Sequence, residues 1–262
     1  MNLQQQWTIL KHLLIADLRL FSKVFVDRFI NMTIWATLTI VVSGYLLMAF
    51  GVKQDFVTDI RFVGVCSMVG LFYIFPNAAL LLADLEGDKA ISYFLMLPTS
   101  SILIFARFII LYFITSGLMS LLLLPLGQLL LWGHFSLLNI NFFYYALIFF
   151  LSQLFFGCFS LWITTRIPSF DQIENIWMRF IFPCWMLGGS EFSWHVLRDK
   201  MPILAYVDLL NPLIYITEGN RSALMNISTG IPFWICCLAL LGFSFLFAWS
   251  GITRMKKRLD CL

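Results

Sequence analysis

The segment FFYYALIFFLSQLFFGCFSLWIT, residues Phe142–Thr164, contains no charged residue and decides the fold class. About 20 apolar residues in helical form are enough to cross the hydrocarbon core of a bilayer. Similar segments occur at Ile30–Phe50, Val63–Leu82, Phe108–Leu131, Ile173–Gly189 and Ile231–Ile252. Their apolar residues run continuously and do not alternate with polar ones, which predicts helices and not a β-barrel. We therefore expect an all-α integral membrane protein with six transmembrane helices.

The composition supports a membrane protein. Of the 262 residues, 61% are hydrophobic and only 12% are charged, whereas an ordinary soluble domain has about 25% charged residues. The net charge is only +3, and no basic patch with interleaved aromatic residues occurs, so we expect no nucleic-acid partner. With so few charged residues, much of the protein surface must be apolar, and we expect this surface to face membrane lipid.

The fifth predicted span, Ile173–Gly189, is the weakest of the six. It contains Glu174 and Arg179, and Pro183 interrupts it near the end that we place outside. The following residues, 189–222, mix apolar and polar side chains without reaching the length of a span. Segments of this kind are typical of re-entrant or interfacial helices.

Residues 1–28 have a helical pattern of their own. Trp7, Leu10, Leu14, Leu18, Phe21 and Phe25 recur at steps of three or four residues. This spacing places them on one face of a helix. We expect an amphipathic helix in the membrane interface before the first span, and the alternative is a plain cytosolic extension.

The positions of Lys and Arg predict the orientation, because these residues are enriched in cytoplasmic loops. With both termini inside, most of the 17 basic residues fall on the cytoplasmic side. Those inside are Lys11, Arg19, Lys23, Arg28, Lys89, Arg107, Arg166, Arg179, Arg254, Lys256, Lys257 and Arg258. Those outside are Lys53, Arg61, Arg198, Lys200 and Arg221. We expect a multi-pass protein of the plasma membrane, which is the inner membrane in a Gram-negative bacterium.

The sequence contains no recognisable catalytic constellation. There is no phosphate-binding Gly-x-x-x-x-Gly-Lys-Ser/Thr loop, no His-Glu-x-x-His pair and no Gly-x-Ser-x-Gly turn. No Cys/His cluster has metal-ligand spacing. Asp84, Glu86 and Asp88 alternate in a manner that could hold a cation, but a solvated loop is the better interpretation. We therefore expect no catalytic residue, no metal site and no cofactor bound by this chain.

Several short motifs, in order, resemble those of the type-2 ABC transporter permeases. Glu86-Gly87 followed by Leu97-Pro98 lies in the first inner loop, and Asn211-Pro212-Leu213 followed by Arg221 lies after the fifth span. Together with six spans and an amino-terminal amphipathic helix, the resemblance covers nearly the whole chain. It implies a single permease domain over 1–262 that forms the membrane-spanning part of an exporter.

The resemblance also implies partners and sites. Two permeases, as a homodimer or an unlike pair, would associate with two separate ATPase subunits that bind ATP and Mg²⁺. A coupling loop over 84–101 would contact the ATPase, with Glu86, Gly87, Asp88, Lys89 and Pro98 as its candidate residues. An outer segment would form the gate, with Asn211, Pro212, Glu218 and Arg221 as its candidate residues.

Other interpretations stay open. The loop charges Glu86, Asp88 and Lys89 are also compatible with ordinary solvation. Glu218 and Arg221, one helical turn apart, either contact substrate or form a local salt bridge that holds the re-entrant segment. A membrane-embedded lipid-modifying enzyme would need a convergent polar cluster in the spans. A secondary transporter would usually show an inverted repeat and charges at the middle of the membrane.

Overall fold

The protein is all-α in the computed structural model, which describes residues 3–46, 50, 57–87, 90–96, 100–131, 140–225 and 230–260. In chain order the α-helices are α1 (Leu3–Val41), α2 (Val57–Glu86), α3 (Ala90–Leu95), α4 (Ser101–Leu130), α5 (Phe142–Thr164), α6 (Ile173–Ile176), α7 (Phe182–Leu187), α8 (Trp194–Lys200), α9 (Pro202–Asp208), α10 (Pro212–Leu224) and α11 (Phe233–Asp260). Five of them, α1, α2, α4, α5 and α11, are long and apolar enough to cross a membrane.

Helix α5 lies at the centre of the bundle. It packs most extensively against α11 and α4, and it also contacts α2 and α10. Phe155 and Phe156 of α5 are fully buried, and the Phe155 ring is stacked on that of Phe159 one turn later. A helix that is apolar on every side is typical of the interior of a bundle, which explains why the sequence of α5 carries no charge.

The bundle has two distinguishable ends. At one end, Arg258 of α11 donates to the carbonyl oxygens of Ile167 and Pro168, just after α5, at 2.8 and 2.9 Å. We name this the basic end, because Arg254, Lys256 and Lys257 lie on the same last turns of α11. At the opposite end, the N–H of Asn141 donates to the carbonyl oxygen of Ala223 at 3.1 Å.

The amino-terminal segment differs from the expectation of a separate helix over 1–28. A single α-helix runs from Leu3 to Val41 without a break and continues as one π-helical turn, Val42–Leu46. Leu10 is buried, and Phe21 and Phe25 pack against the core. These three residues of the apolar stripe therefore contact the bundle, whereas Trp7 is 58% exposed. The helix continues past residue 28, where neither Gly nor Pro occurs to end it.

The expected fifth span is helical but is not one regular α-helix. Phe170–Gln172 form a 3₁₀ turn, α6 follows, Trp177–Ile181 form a π-helical turn, and α7 completes the segment. We name residues 170–187 the broken helix. Pro183 has no N–H to donate to the carbonyl oxygen of Arg179, so a regular α-helical ladder cannot pass through this position.

The broken helix runs antiparallel beside α2. Its start contacts the last turn of α2, where the Phe170 N–H donates to Glu86 Oε1 at 2.9 Å. The ring of Trp177 lies 5.7 Å from that of Phe75. Beyond its end, a Cβ placed on Gly64 would lie 2.3 Å from the carbonyl oxygen of Ser190. Gly64 and Glu86 are separated by about 33 Å of helix at about 1.5 Å per residue, so the segment passes along most of α2.

Candidate functional site

Arg221 and Glu218 form an ion pair in the interior of the opposite end. Arg221 Nη1 donates to Glu218 Oε1 at 2.8 Å, which confirms the expected pairing one helical turn apart. The exposed fractions of the two side chains are 1% and 0%. Neither side chain therefore reaches the surface of this chain, and a direct contact with cargo would require the segment to open.

The same pair joins distant parts of the chain. Arg221 also donates to the carbonyl oxygens of Gly189, Phe192 and Ile60. Glu218 Oε1 in turn accepts from the N–H of Trp194 at 2.9 Å. Buried charges are tolerated only when they are paired and hydrogen-bonded. This network meets that need, and it ties α10 to the start of α2 and to the chain that follows the broken helix.

Asn211 and Pro212 position α10. The Asn211 side chain accepts from the Leu213 N–H at 3.2 Å, which caps the helix, and Pro212 occupies the first turn, where a missing N–H costs little. Asn211 Nδ2 also donates to the carbonyl oxygen of Cys184 at 2.8 Å. The motif therefore fixes where α10 begins relative to α7.

Gly189 permits the close approach at this point. Its φ is 74°, in the left-handed region that favours glycine. A Cβ there would lie 2.5 Å from Ile214 Cδ1 and 2.8 Å from Thr217 Oγ1. The chain after α7 thus turns directly against the first turns of α10, which brings the carbonyl oxygen of Gly189 to Arg221.

Asp208, beside the α10 cap, was not singled out from the sequence. It is 2% exposed, and its Oδ1 accepts from Asn211 Nδ2 at 3.2 Å. Among the described residues its Oδ2 has no hydrogen-bond partner. Burial raises the pKa of Asp208 to about 6, against an opposing effect of the Asn211 hydrogen bond. The site therefore contains a carboxylate that is costly to ionise.

The predicted coupling loop is described only in part. Glu86 is the last residue of α2 and Gly87 forms the turn after it, whereas Asp88, Lys89 and Pro98 lie outside the described residues. The Glu86 side chain is exposed, yet it accepts from the N–H of Phe170. Glu86 therefore holds the start of the broken helix in addition to any role at a partner surface.

A short helix, α3, lies at the basic end within this loop. Asp84 Oδ2 accepts from the Ile91 N–H at 3.0 Å and so satisfies a free donor of its first turn. Ile91 is 1% exposed and faces the bundle, whereas Tyr93 and Met96 are 67% and 82% exposed. Helix α3 therefore presents one packed face to the bundle and one open face away from it.

A second buried ion pair connects this loop to α1. The Arg107 guanidinium, at the start of α4, makes two hydrogen bonds of 2.5 Å to the two carboxylate oxygens of Asp17 in α1. The Arg107 Cζ atom lies 4.4 Å from the centre of the Phe94 ring in α3. The three residues, which we name the joint, link α1, α3 and α4. Sequence reasoning missed the joint, because positions 90 residues apart give no local signal.

A surface groove separates α1 from the broken helix. It consists of two adjoining cavities of about 380 and 670 Å³ that share Phe72 and Pro76 of α2. One flank carries Arg28, Asn31 and Trp35 of α1, and the other carries Asp171, Glu174 and Trp177 of the broken helix. The groove is therefore polar on both flanks and aromatic at its floor.

The sequence has no significant match among protein-family profiles or among curated proteins.

Proposed function

We propose that this chain is the membrane-spanning permease subunit of an ATP-binding-cassette exporter, which pairs with a second permease and is driven by a separate ATPase. The observation that carries the proposal is α3. A short helix with an exposed face projects at the basic end, and the joint ties its other face to α1 and α4. A partner that pushed on α3 would move two long helices together.

The path of the broken helix supports a sixth crossing as part of this proposal. It starts beside Glu86, and Ser190, three residues after its end, lies beside Gly64, so the segment passes along most of α2. The hydrocarbon core is about 30 Å thick, close to the length of α2 between those contacts. With a sixth crossing, both termini would lie on one side, and by the positive-inside rule we assign the basic end to the cytoplasm.

The groove supports a pathway between two copies. A polar flank is costly against lipid unless it has water or a partner, and Asp171, Glu174, Arg28 and Asn31 line this one. If the groove of one copy faced the groove of a second copy, the two together would form a channel with a polar entry and aromatic walls. Such a channel suits an amphipathic cargo better than a small ion.

The outer segment has the role of a re-entrant gate in this proposal. Helices α8, α9 and α10 follow the broken helix at the end opposite the basic one, and the Arg221–Glu218 network fixes them to α2. Because the Arg221–Glu218 pair is buried, we propose that it holds the outer segment in place. Contact with cargo would fall to the exposed side chains of α8 and α9.

ATP and Mg²⁺ would be bound by the ATPase and not by this chain. The test is purification of the tagged chain from native membranes in mild detergent, with ATPase activity measured on the eluate. We expect an ATPase subunit to co-purify and to be lost from the variant Asp88→Ala/Lys89→Ala. This variant spares the Glu86–Phe170 contact. A matched control, Asp199→Ala/Lys200→Ala in α8, should retain the ATPase. A chain that purifies without any ATPase would contradict the proposal.

A further inference from the structure

Helices α5 and α11 cross closely where both approach the basic end. A Cβ placed on Gly251 of α11 would lie 3.2 Å from the Cα and from the N atom of Trp162 in α5. Arg254 follows Gly251 by three residues, and Arg166 follows Trp162 by four. Each arginine is therefore about one helical turn beyond the crossing, and the close contact brings the two cationic side chains together.

The guanidinium of Arg166 lies on an aromatic face. Its Cζ atom is 4.9 Å from the centre of the Trp162 ring, which is a cation–π contact. Arg166 and Arg254 are nevertheless both exposed, so their guanidinium groups are accessible to a ligand. The loss of some solvent and the charge of Arg254 lower the pKa of Arg166. The two like charges therefore repel each other in the folded chain.

The described part of the chain provides no acidic partner for these two charges. None of the carboxylates whose side chains the structure describes forms an ion pair with Arg166 or Arg254. Lys257, in the last turn of α11, is also exposed. Arg258 donates to backbone carbonyl oxygens just after α5 and so holds the chain beside Arg166 against α11. An anion bound between the two arginines would offset their repulsion.

An aromatic seam leads from the arginines along the bundle, away from the basic end. Its floor is Trp162, whose ring lies 4.8 Å from that of Phe247 in α11 and 6.0 Å from that of Phe180 in the broken helix. Phe180 is 41% exposed. Tryptophan close to the end of a span is typical of the level of lipid head groups. A ligand with its anionic head beside the arginines would therefore have its hydrocarbon chains next to this seam.

We propose that the two arginines and the aromatic seam form a binding site for an anionic phospholipid of the phosphatidylglycerol type. The phosphate lies between Arg166 and Arg254, since a guanidinium donates paired hydrogen bonds to phosphate oxygens, and an acyl chain lies along Phe180. A lipid fits better than an acidic protein surface, because the charges adjoin aromatic side chains at the end of a span. The site stands whether or not the chain is a permease.

The test is native mass spectrometry of the detergent-purified chain with equal amounts of dioleoylphosphatidylglycerol and dioleoylphosphatidylcholine. The two lipids have the same acyl chains and differ in head-group charge. We expect the chain to retain phosphatidylglycerol in preference. In Arg166→Gln/Arg254→Gln the affinity for phosphatidylglycerol should fall about tenfold or more, because two cations that attract an anionic head group are removed. Retention of phosphatidylcholine should not change.

Two further variants separate this site from general charge and from folding. Arg19→Gln/Lys23→Gln removes two exposed cations from α1 and should bind phosphatidylglycerol as the unmodified chain does. Arg254→Gln alone leaves the contact of Arg166 with Trp162 in place. Without lipid, its melting temperature should equal or exceed that of the unmodified chain, because a repulsion is removed. Added phosphatidylglycerol should raise the melting temperature of the unmodified chain more than that of Arg254→Gln.

Equal retention of the two lipids, or an equal loss in the double variant and in the α1 control, would overturn the proposal. Displacement of phosphatidylglycerol by excess inorganic phosphate would show a site for free phosphate instead of a lipid. If the double variant keeps phosphatidylglycerol but loses a co-purifying ATPase, the arginines contact that partner and the lipid site fails. The lipid measurements use the chain without an ATPase, so failure of this site and failure of the exporter proposal are distinguishable.

Discussion

The two buried ion pairs found among the described residues lie at opposite ends of the bundle and differ in construction. Arg221–Glu218 joins neighbouring turns of one helix and is surrounded by backbone carbonyl oxygens of Ile60, Gly189 and Phe192. Asp17–Arg107 joins two helices distant in sequence, and its further contact is the face of an aromatic ring. The exposed fractions are 1% and 0% for the first pair, and 6% and 13% for the second.

We infer from this difference that the two ion pairs have different roles. Breaking the Arg221 network would release hydrogen bonds of three backbone segments at once and leave Glu218 charged in the interior. Breaking the Asp17–Arg107 pair would remove one link between α1 and α4, which still pack against each other, while water can reach the carboxylate. The first pair fits a part that stays fixed, and the second fits a part that transmits movement between α3 and the long helices.

The largest expected effect is that of Arg221→Met. Removing one partner of a fully buried pair costs about 3–5 kcal/mol of folding free energy. We expect a large fall in the melting temperature of the detergent-solubilised chain, measured by intrinsic fluorescence. Arg198→Met, in α8 with a 40% exposed side chain, should change stability by about 0.5 kcal/mol or less. Equal effects of the two variants would contradict the role of Arg221 in holding the outer segment against α2.

A smaller loss is expected from Arg107→Gln. Hydrogen bonds between charged groups contribute about 1–3 kcal/mol, and partial hydration of Asp17 reduces the cost of leaving it unpaired. A double-mutant cycle with Asp17→Asn should give a coupling energy between the two sites. If the Asp17–Arg107 pair transmits movement between α3 and the long helices, the Arg107→Gln chain should stay folded. The ATPase activity of its complex should no longer respond to cargo. If Arg107→Gln lowers the stability as much as Arg221→Met does, the two ion pairs do not differ in role.

The outer region also contains a buried carboxylate, Asp208, that forms no ion pair with any of the residues that the structure describes. Its folded-state pKa of about 6 lies above the ordinary value of 3.8, so ionisation destabilises the folded state. The contribution of Asp208 to stability should therefore be most favourable below about pH 4, become less favourable as the pH rises to about 6, and stay level above that. The change amounts to roughly 1–2 kcal/mol at about 1.4 kcal/mol per pKa unit, discounted for partial hydration.

The matching variant is Asp208→Asn, which keeps an oxygen atom to accept from Asn211. It should remove this part of the pH dependence between pH 4 and 6 in thermal melts. A melting curve for the unmodified chain that is flat across this range would show that Asp208 is not held in an apolar setting.

The smallest effect on stability is expected in the groove. Glu174 is exposed, so Glu174→Gln should leave the melting temperature nearly unchanged, within about 0.5 kcal/mol. If the groove lines the pathway, the same change should alter the rate or selectivity of export in membrane vesicles. Asp199→Asn, exposed in α8, is the control. A substantial loss of stability in Glu174→Gln would instead identify the groove flank as a packing surface.

The sequence predicted the features that depend on residues close together in the chain. Continuous apolar runs identified four of the long helices, and α5 has the expected bounds, Phe142–Thr164. The pairing of Glu218 with Arg221 was one of the two interpretations that the sequence offered, because it depends on spacing within one helix.

Three features depend on long-range packing and could not be predicted in this way. Helix α1 has no break near residue 28, since its stripe packs on the bundle and is not cut by Gly or Pro. The broken helix keeps its path because its aromatic rings contact α2, although Pro183 interrupts its hydrogen bonds. The contact of Asp17 with Arg107 joins positions that no periodicity relates.

The most direct test of the central proposal is site-specific photocross-linking at α3 in native membranes. A photoreactive phenylalanine analogue replaces Tyr93, which is 67% exposed in α3, and in a second variant it replaces Trp249, which is 66% exposed in α11. We predict a cross-link from position 93 to an ATP-hydrolysing subunit, and none from position 249. If position 93 captures no ATPase, or if both positions capture it equally, α3 is not the coupling helix and the exporter proposal fails.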